Sequence, residues 1–268
     1  MKGLILASLF FGITLNAAGD LLLKEENIST PTLNATLPTA RDGSNLQFPE
    51  DKELTLGYIA LVENTLITSN IIKAGTLSKW SHVAMILCNR SDISEKPFGI
   101  DKTNWYCFEA NTQLDNNVHL FNWEKFNLNE KAAAKLVLRP MLYNEKAPEA
   151  NILKQVVNRY LGRPYETILS ELALAPFRVN SAENANSIFC SELVALTLQD
   201  LGFLDAKNRL SNNYVPADFS LERPHALKLN GVSLGKETIL ESKTGIFRYF
   251  FEYLWNFILF IPRRLNIF

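Results

Sequence analysis

The chain has 268 residues, of which 47% are hydrophobic, and its formal net charge is −1. This length is sufficient for one domain with a full hydrophobic core and for additional segments at each end. Neither sign of charge is clustered along the chain, which argues against a nucleic-acid-binding surface and against a polybasic membrane patch.

The N-terminal segment has the pattern of a secretory signal peptide. A basic start precedes an apolar run from Leu4 to Leu15, and small residues follow as far as Gly19. The run is too short to span a bilayer comfortably, so we expect cleavage after Ala18 or Gly19 and export of the protein, with an uncleaved anchor as the alternative. We therefore interpret residues 1–19 as the signal peptide. Residues 20–50 are rich in Thr, Asn and Pro and are predicted to form a linker or disordered arm.

Hydrophobic periodicity from residue 54 onward predicts both strands and helices. The predicted strands cover residues 56–62, 80–88, 104–111 and 136–140. The predicted helical segments are a short helix or loop over 67–77, an amphipathic helix over 149–161 and a helix that begins near residue 190 and ends at Gly202; a turn-rich segment follows over 214–219. Strands clustered beside two or three helices predict an α+β domain with an antiparallel sheet, over residues 51–232.

Cys190 is the candidate nucleophile. It follows a polar loop and precedes an apolar helical pattern that runs from Leu193 to Leu201, so it is predicted to lie in the first turn of a helix. Unpaired backbone N–H groups and the positive end of the helix dipole stabilise an anion at that position, and the thiolate is the nucleophilic form of a cysteine. A small buried hydrophobic residue is the alternative interpretation.

Two ionisable residues lie within otherwise apolar predicted strands. Alternation places His82 on the same strand face as Trp80 and Ala84, where an unpaired imidazole would be costly. Glu109 occupies a similar position in the next strand. If these strands are neighbours, Glu109 accepts a hydrogen bond from one nitrogen of His82 while the other nitrogen faces Cys190, which would combine thiol, imidazole and orienting carboxylate. Taken singly, the two residues could be a satisfied core histidine and an edge-strand charge.

The remaining cysteines and histidines do not predict a metal site. The three cysteines and three histidines of the chain lack the spacing of zinc ligands, so neither a metal nor a cofactor is expected. His119 and His225 lie in polar stretches and are predicted to be solvent-exposed. If His82 lies directly opposite Glu109, Cys107 faces Ala84 rather than Cys88, which argues against a disulfide.

The order of these motifs resembles the circularly permuted NlpC/P60 superfamily, and within it the YiiX/YaeF-like group. These are papain-like cysteine hydrolases in which the histidine precedes the cysteine. The resemblance covers residues 54–220 and depends on the segments Ser81-His82-Val83, Phe108-Glu109-Ala110, Phe189-Cys190-Ser191-Glu192-Leu193-Val194, Tyr160-Leu161-Gly162-Arg163-Pro164-Tyr165 and Val215-Pro216-Ala217-Asp218. Where the family usually has Gly-Asp in its first strand, this chain has Gly57-Tyr58.

The resemblance implies a papain-like fold with Cys190 as the nucleophile, His82 as the general base and Glu109 as the acid that orients the histidine. It also implies that the backbone N–H of Cys190 lies at the oxyanion position, and that an amide, ester or thioester of a lipid or peptide is hydrolysed through an acyl-enzyme. A catalytically inactive, membrane-associated binding module of the same fold is the alternative, suggested by the departure at the first strand. The residues predicted to bind substrate are Tyr165, Ser81 and Tyr58, and a packing role is the alternative for Tyr165.

The C-terminal segment, residues 233–268, is predicted to form a hydrophobic amphipathic helix. Nine of the 29 aromatic residues of the chain lie between residues 245 and 268. Arg248, Glu252 and Asn256 recur at every fourth position and form a narrow polar stripe. This pattern favours a helix that lies in a membrane interface, so we expect an exported protein that attaches to a membrane surface through residues 245–268. A helix folded back onto the domain is the alternative.

Overall fold

The computed structural model describes residues 48–49, 52–64, 67–76, 78–111, 116–129, 133–166, 175–177, 180 and 187–240. The chain divides into two units, residues 1–39 and 40–268, and every described residue belongs to the second. The predicted signal peptide and the apolar segment 245–268 lie outside the described residues, as does nearly all of the predicted arm. Within the described ranges, no helix has both the length and the hydropathy that a bilayer crossing requires.

The described residues form one seven-stranded sheet in which all neighbouring strands are antiparallel. The strands are β1 (Leu54–Asn64), β2 (His82–Asn89), β3 (Tyr106–Asn111), β4 (Asn117–Asn122), β5 (Ala133–Tyr143), β6 (Val232–Leu234) and β7 (Thr238–Leu240). Their order is β4-β3-β2-β1-β5-β6, and β7 pairs with β5 as well. The helices are α1 (Ile67–Thr76), α2 (Trp123–Asn129), α3 (Ala150–Tyr160) and α4 (Cys190–Asp200).

The predicted α+β class and antiparallel sheet are confirmed. The four predicted strands correspond to β1, β2, β3 and β5, and the helices predicted over 149–161 and from residue 190 correspond to α3 and α4. The sequence analysis missed β4, α2, β6 and β7. β4 is a six-residue strand with polar residues at alternate positions, and β6 and β7 have three residues each. Segments this short carry little periodicity and are defined by the strands with which they pair.

Two hydrophobic clusters lie on the sheet, and α3 and α4 pack into the larger one. Residues of β2 enter the two clusters alternately, as a strand requires. Val83, Met85 and Leu87 belong to the larger cluster, and Ala84, Ile86 and Cys88 to the smaller. The predicted alternation fails at Trp80, which packs in the larger cluster and lies before β2, whose first residue is His82.

Both predicted domain boundaries need correction. Phe48 is buried in the larger cluster, so the domain includes residues before 51. At the other end, β6 and β7 pair with the outer edge of β5, so the sheet extends to Leu240 rather than ending at residue 232. Backbone pairing explains why this segment belongs to the domain, although its composition alone groups it with the apolar C-terminus.

Candidate active site

Cys190 is the first residue of α4, which confirms its predicted position in the first turn of a helix. The preceding residue, Phe189, has extended backbone angles, and its N–H donates a hydrogen bond to the carboxylate of Glu192 at 3.4 Å. The cysteine is 2% exposed. The sulfur thus lies at the end of a helix where backbone N–H groups without intrahelical partners are concentrated.

The residues before the cysteine are held by a short bridging segment, residues 162–166. Ile188 exchanges two backbone hydrogen bonds with this segment, of 3.0 and 3.1 Å. On the opposite side of the segment, Val118 of β4 exchanges two more, of 2.8 and 2.9 Å. The bridging segment therefore ties the approach to Cys190 to the edge of the sheet that also carries Glu109, since β4 pairs with β3.

His82 and Glu109 are in direct contact. The imidazole Nε2 lies 2.6 Å from Oε2 of the fully buried carboxylate, and the second carboxylate oxygen, Oε1, accepts a hydrogen bond from Nδ2 of Asn111 at 2.9 Å. A charge of this kind is tolerated in the interior only when it is paired. Both oxygens of Glu109 have a defined partner, which holds the carboxylate and the imidazole ring in one orientation.

The strand register differs from the one that the triad was expected to require. Met85 pairs with Phe108 and Leu87 with Tyr106, which aligns Glu109 with Ala84 instead of His82. The carboxylate therefore reaches the imidazole diagonally, a separation that long side chains can span. The sequence analysis predicted a contact between these residues if their strands were neighbours, but the register that it assumed was wrong by two residues.

Cys190 lies near enough to His82 for its side chain to act on the imidazole. Burial is the largest single influence on the imidazole and by itself lowers its pKa. The negative charge of Glu109, followed by the charge and hydrogen bond of Cys190, acts in the opposite direction and raises the pKa of His82 well above its ordinary value of 6.5. The surroundings thus favour an imidazolium between a carboxylate and a sulfur.

Tyr165 lies close to this group. Burial is the main cause that raises the pKa of its phenol far above the ordinary value of 10, and the nearby negative charges of Cys190, Glu109 and Glu166 act in the same direction. Its phenol therefore stays protonated and can donate a hydrogen bond. Its backbone belongs to the bridging segment, where its N–H donates to the carbonyl of Asn116 at 2.6 Å. Of the three residues predicted to bind substrate, this is the one that the structure brings to the cysteine.

Ser81 has a structural role instead of the predicted substrate-binding one. Its hydroxyl donates to the carbonyl of Val62 at 3.2 Å and accepts from the N–H of Asn64 at 3.0 Å. The side chain is buried, and both interactions are with the backbone of β1. Ser81 therefore fixes the start of β2 against the end of β1 and so positions His82.

Tyr58 is a core residue, and the predicted role in substrate binding is corrected. Its hydroxyl donates to the carbonyl of Asp92 at 2.6 Å and accepts from the N–H of Ser94 at 2.8 Å. Its ring stacks on that of Trp105 with centroids 4.9 Å apart. Gly57, the preceding residue, lies at an irregularity in the β1–β2 register. The departure from the family pattern at the first strand is thus a packing feature of the smaller cluster.

Two residues near the triad were not recognised from the sequence. His119, which was predicted to be solvent-exposed, is fully buried in β4 directly opposite Glu109. Asn111, which holds Glu109, lies two residues after it on the same strand face. The available signal was the Glu-x-Asn spacing within an apolar strand. His225 is exposed, as predicted.

The other two cysteines belong to the smaller cluster. Cys107 lies opposite Ile86 and not opposite Cys88, so the two are not cross-strand partners. Burial raises the pKa of the Cys88 thiol. Among the described residues, no three His, Cys, Asp or Glu side chains come together in an arrangement that could hold a metal ion.

No family model matches the chain, and no curated protein matches it. Among solved structures, the chain is similar to the metalloprotein YiiX from Escherichia coli O157:H7, which is described as DUF1105. The sequences are 19% identical, the match covers 70% of this chain and 96% of that chain, and the TM-score is 0.38. A likeness at this level assigns no family, so the function must be inferred from the geometry of the site.

Proposed function

We propose that the protein is a papain-like cysteine hydrolase of the circularly permuted NlpC/P60 type, which cleaves an amide, ester or thioester bond. The observation that carries the proposal is the contact between His82 and the buried Glu109, together with the influence of the Cys190 side chain on the same imidazole. A thiol beside an imidazole that is oriented by a buried carboxylate is the arrangement that activates a cysteine nucleophile.

In the proposed reaction, the Cys190 thiolate attacks the carbonyl carbon of the substrate, and the oxygen becomes an oxyanion. The N–H groups at the start of α4 and the phenol of Tyr165 are the donors available to stabilise it. The imidazolium of His82 protonates the leaving group, which departs and leaves an acyl-cysteine. His82 then takes a proton from water, the hydroxide attacks the thioester, and the acid product leaves with the thiol restored.

The proposed substrates are acyl groups of lipids or of cell-envelope peptides, on an exported protein that associates with a membrane. The aromatic segment 245–268 supports the lipid class, because a helix in the interface would hold the enzyme at its substrate. The pattern of residues 1–19 supports export. Both arguments depend on the sequence of the two terminal segments. The proposed substrate class is therefore independent of the proposed chemistry of Cys190, His82 and Glu109.

A catalytically inactive binding module is the second candidate. The departure at Gly57-Tyr58 no longer favours it, since Tyr58 belongs to the core. The observation in its favour is the limited access to the thiol, because Cys190 is 2% exposed and the His82 side chain 15% exposed. An enzyme with this site needs a substrate that reaches a nearly covered sulfur.

Cys190→Ala is expected to abolish hydrolysis across a panel of acyl esters and peptide amides while the circular dichroism spectrum is retained, because the covalent intermediate can no longer form. Cys107→Ala removes an equally buried thiol elsewhere and should leave the rates within about threefold. An electrophilic thiol probe should label Cys190 in the native protein. Labelling that occurs only after denaturation would favour the inactive module, whereas full activity in Cys190→Ala would show that Cys190 is not the nucleophile.

A further inference from the structure

Two exposed apolar residues lie close together beside the last described strand. Among the described residues, five large hydrophobic side chains are exposed, and Leu221 and Ile239 are two of them, at 50% and 43%. The backbone N–H of Leu221 donates a hydrogen bond to Oε1 of Glu237 at 2.6 Å, and Glu237 precedes Ile239 by two positions. The segment that carries Leu221 therefore lies against the start of β7.

Both residues lie on the face of the sheet against which α3 and α4 pack. Ile239 is directly opposite Val137 of β5, which belongs to the larger cluster, and directly opposed residues of an antiparallel pair have their side chains on the same face. Phe219, two residues before Leu221, belongs to the larger cluster as well. Leu221 and Ile239 thus form one apolar surface at this edge of the sheet, which we call the β7 surface.

Two lysines border the β7 surface. Lys79 forms an ion pair of 3.3 Å with Glu222, the residue that follows Leu221. The ammonium groups of Lys79 and Lys135 lie 4.9 and 5.8 Å from the ring centroid of the buried Trp80, and Lys135 lies on β5, the strand that pairs with β7. Apolar side chains bordered by lysines suit a membrane interface, because the lysine stems contact apolar groups while the ammonium groups reach the headgroups.

The chain continues from the β7 surface into the aromatic segment 245–268. Residue 245 is six positions after Ile239, and a chain of that length spans at most about 22 Å. A domain of this size is roughly 40 Å across. If the aromatic segment lies in a membrane interface, the bilayer therefore cannot lie against the far side of the domain.

We propose that Leu221 and Ile239 enter the interface of a lipid bilayer as a second point of attachment beside the aromatic segment. The proposal rests on the proposed membrane association, and this contact would fix the orientation of the domain on the bilayer. Lys79 precedes His82 by three residues, a length of at most about 11 Å. The histidine of the candidate active site would therefore lie near the bound face, where an acyl group from the membrane could reach it.

The test is flotation of the full chain with vesicles of phosphatidylcholine and phosphatidylglycerol. Leu221→Ser combined with Ile239→Thr should weaken vesicle binding by about tenfold or more, because two apolar side chains no longer enter the interface. Threonine keeps the β-branched shape that suits β7. Ile152→Thr changes a side chain that is 46% exposed on α3; it is the matched control and should bind like the parent. The double variant should hydrolyse a small soluble substrate at the parental rate.

Each contrary result has a distinct meaning. Vesicle binding of the double variant equal to that of Ile152→Thr would overturn the role of the β7 surface; if truncation after Lys243 still abolishes binding, the proposed attachment through residues 245–268 stands. A parent that does not bind vesicles would overturn both, while hydrolysis of the soluble substrate still tests the triad. A dimer of the parent in light scattering that the double variant no longer forms would assign the surface to a second copy of the chain.

Leu221→Ser alone replaces the double variant if the latter does not fold, because Leu221 lies outside the strands. The same flotation and the same control then apply, and binding equal to that of Ile152→Thr again overturns the proposal.

Discussion

Glu109 is the residue on which the geometry of the candidate active site depends. It is fully buried, and its two carboxylate oxygens contact His82 and Asn111. The side chain of Cys190 also acts on the imidazole, so both an acid and a thiol raise the pKa of His82. A buried charge is costly without its partner, so loss of either His82 or Glu109 would leave the other uncompensated.

Glu109→Gln keeps the shape of the side chain and removes its charge. We expect kcat/KM to fall by a factor on the order of 10² to 10⁴, because the imidazolium and its orientation are no longer stabilised. The pKa of His82 should fall, since the charge of Glu109 is the largest of the influences that raise it. Steady-state kinetics and a histidine titration by NMR measure both effects.

The same variant tests the pH dependence of stability. The folded protein binds the His82 proton more tightly than the unfolded chain, whose histidine pKa is about 6.5. The stability that the protonated imidazole adds to the folded state is therefore fully present below about pH 6.5, and it is lost as the pH rises through the raised pKa of folded His82. Urea unfolding at a series of pH values above 6.5 should show that the free energy of unfolding falls less with rising pH in Glu109→Gln than in the parent. Glu124→Gln, at an exposed glutamate, is the control. If Glu109→Gln matches this control in both kcat/KM and the pH dependence of stability, Glu109 is a structural charge only.

At the scale of elements, the side chain of Cys88 on β2 packs directly against Gly57 of β1. A Cβ atom added there would lie 2.2 Å from Sγ of Cys88, a distance that no pair of nonbonded heavy atoms tolerates. The close approach explains why glycine occupies this position at the irregularity in the β1–β2 register. The next residue, Tyr58, then enters the smaller cluster.

Gly57→Ala should lower the free energy of unfolding by about 1–3 kcal/mol, because the core must shift to accommodate the methyl group. Cys88→Ala removes the sulfur that the methyl group would contact. In the double variant the two effects should therefore not add, and the coupling should be about 0.5 kcal/mol or more. Urea unfolding of the four proteins measures the cycle. Strict additivity would show that the strain lies elsewhere.

β5 joins the central sheet to the C-terminal strands, and Arg139 provides the side-chain connection. This buried arginine donates to the carbonyls of Phe219 at 2.7 Å, Gly235 at 3.0 Å and Leu234 at 3.3 Å. Burial lowers the pKa of Arg139, which shows that the charge is held at some cost. The planar fork of donors matches three separate carbonyls, which a lysine cannot do.

Arg139→Lys should destabilise the protein by at least about 2 kcal/mol, because buried carbonyls lose their donors. Amide exchange in β6 and β7 should accelerate more than in β1. Arg159→Lys changes an exposed arginine paired with Asp200 and should cost about 1 kcal/mol or less. Equal stability of the two variants would contradict the role of Arg139 in holding the C-terminal strands.

At the scale of the whole molecule, the domain includes Phe48 near its start and Leu240 at the end of its last strand. The aromatic segment 245–268 begins only a few residues after that strand. A cut after Lys243 therefore removes the segment and leaves every described strand intact. This separation allows the C-terminal segment to be tested without damage to the sheet.

Truncation after Lys243 should abolish vesicle binding, leave the Tm unchanged and preserve hydrolysis of a small soluble substrate, if the segment lies in a membrane interface. A segment that packs on the domain behaves differently, because its removal exposes apolar surface worth about 25 cal/mol per Å². A much lower Tm, together with a parent that never binds vesicles, would contradict the membrane prediction and weaken the lipid substrate class. Flotation and thermal unfolding are the measurements.

The sequence allowed prediction of the features whose signal is local. Apolar periodicity located α3, α4 and four of the strands, and a change from polar loop to helical pattern placed Cys190 in a first turn. The cost of burying an ionisable side chain was enough to predict that His82 and Glu109 need partners. These inferences needed only the residues within a few positions of each other and a general rule about burial.

Only the tertiary structure decided which residues meet across strands. The diagonal contact of His82 with Glu109, the burial of His119 opposite Glu109 and the pairing of β6 and β7 with β5 all depend on register. Register is set by backbone pairing between distant segments and by packing on both faces of the sheet. A shift of two residues keeps every side chain on the same face, so the periodicity within one strand cannot distinguish such registers. For the same reason, only the assembled sheet placed Tyr58 in the smaller cluster.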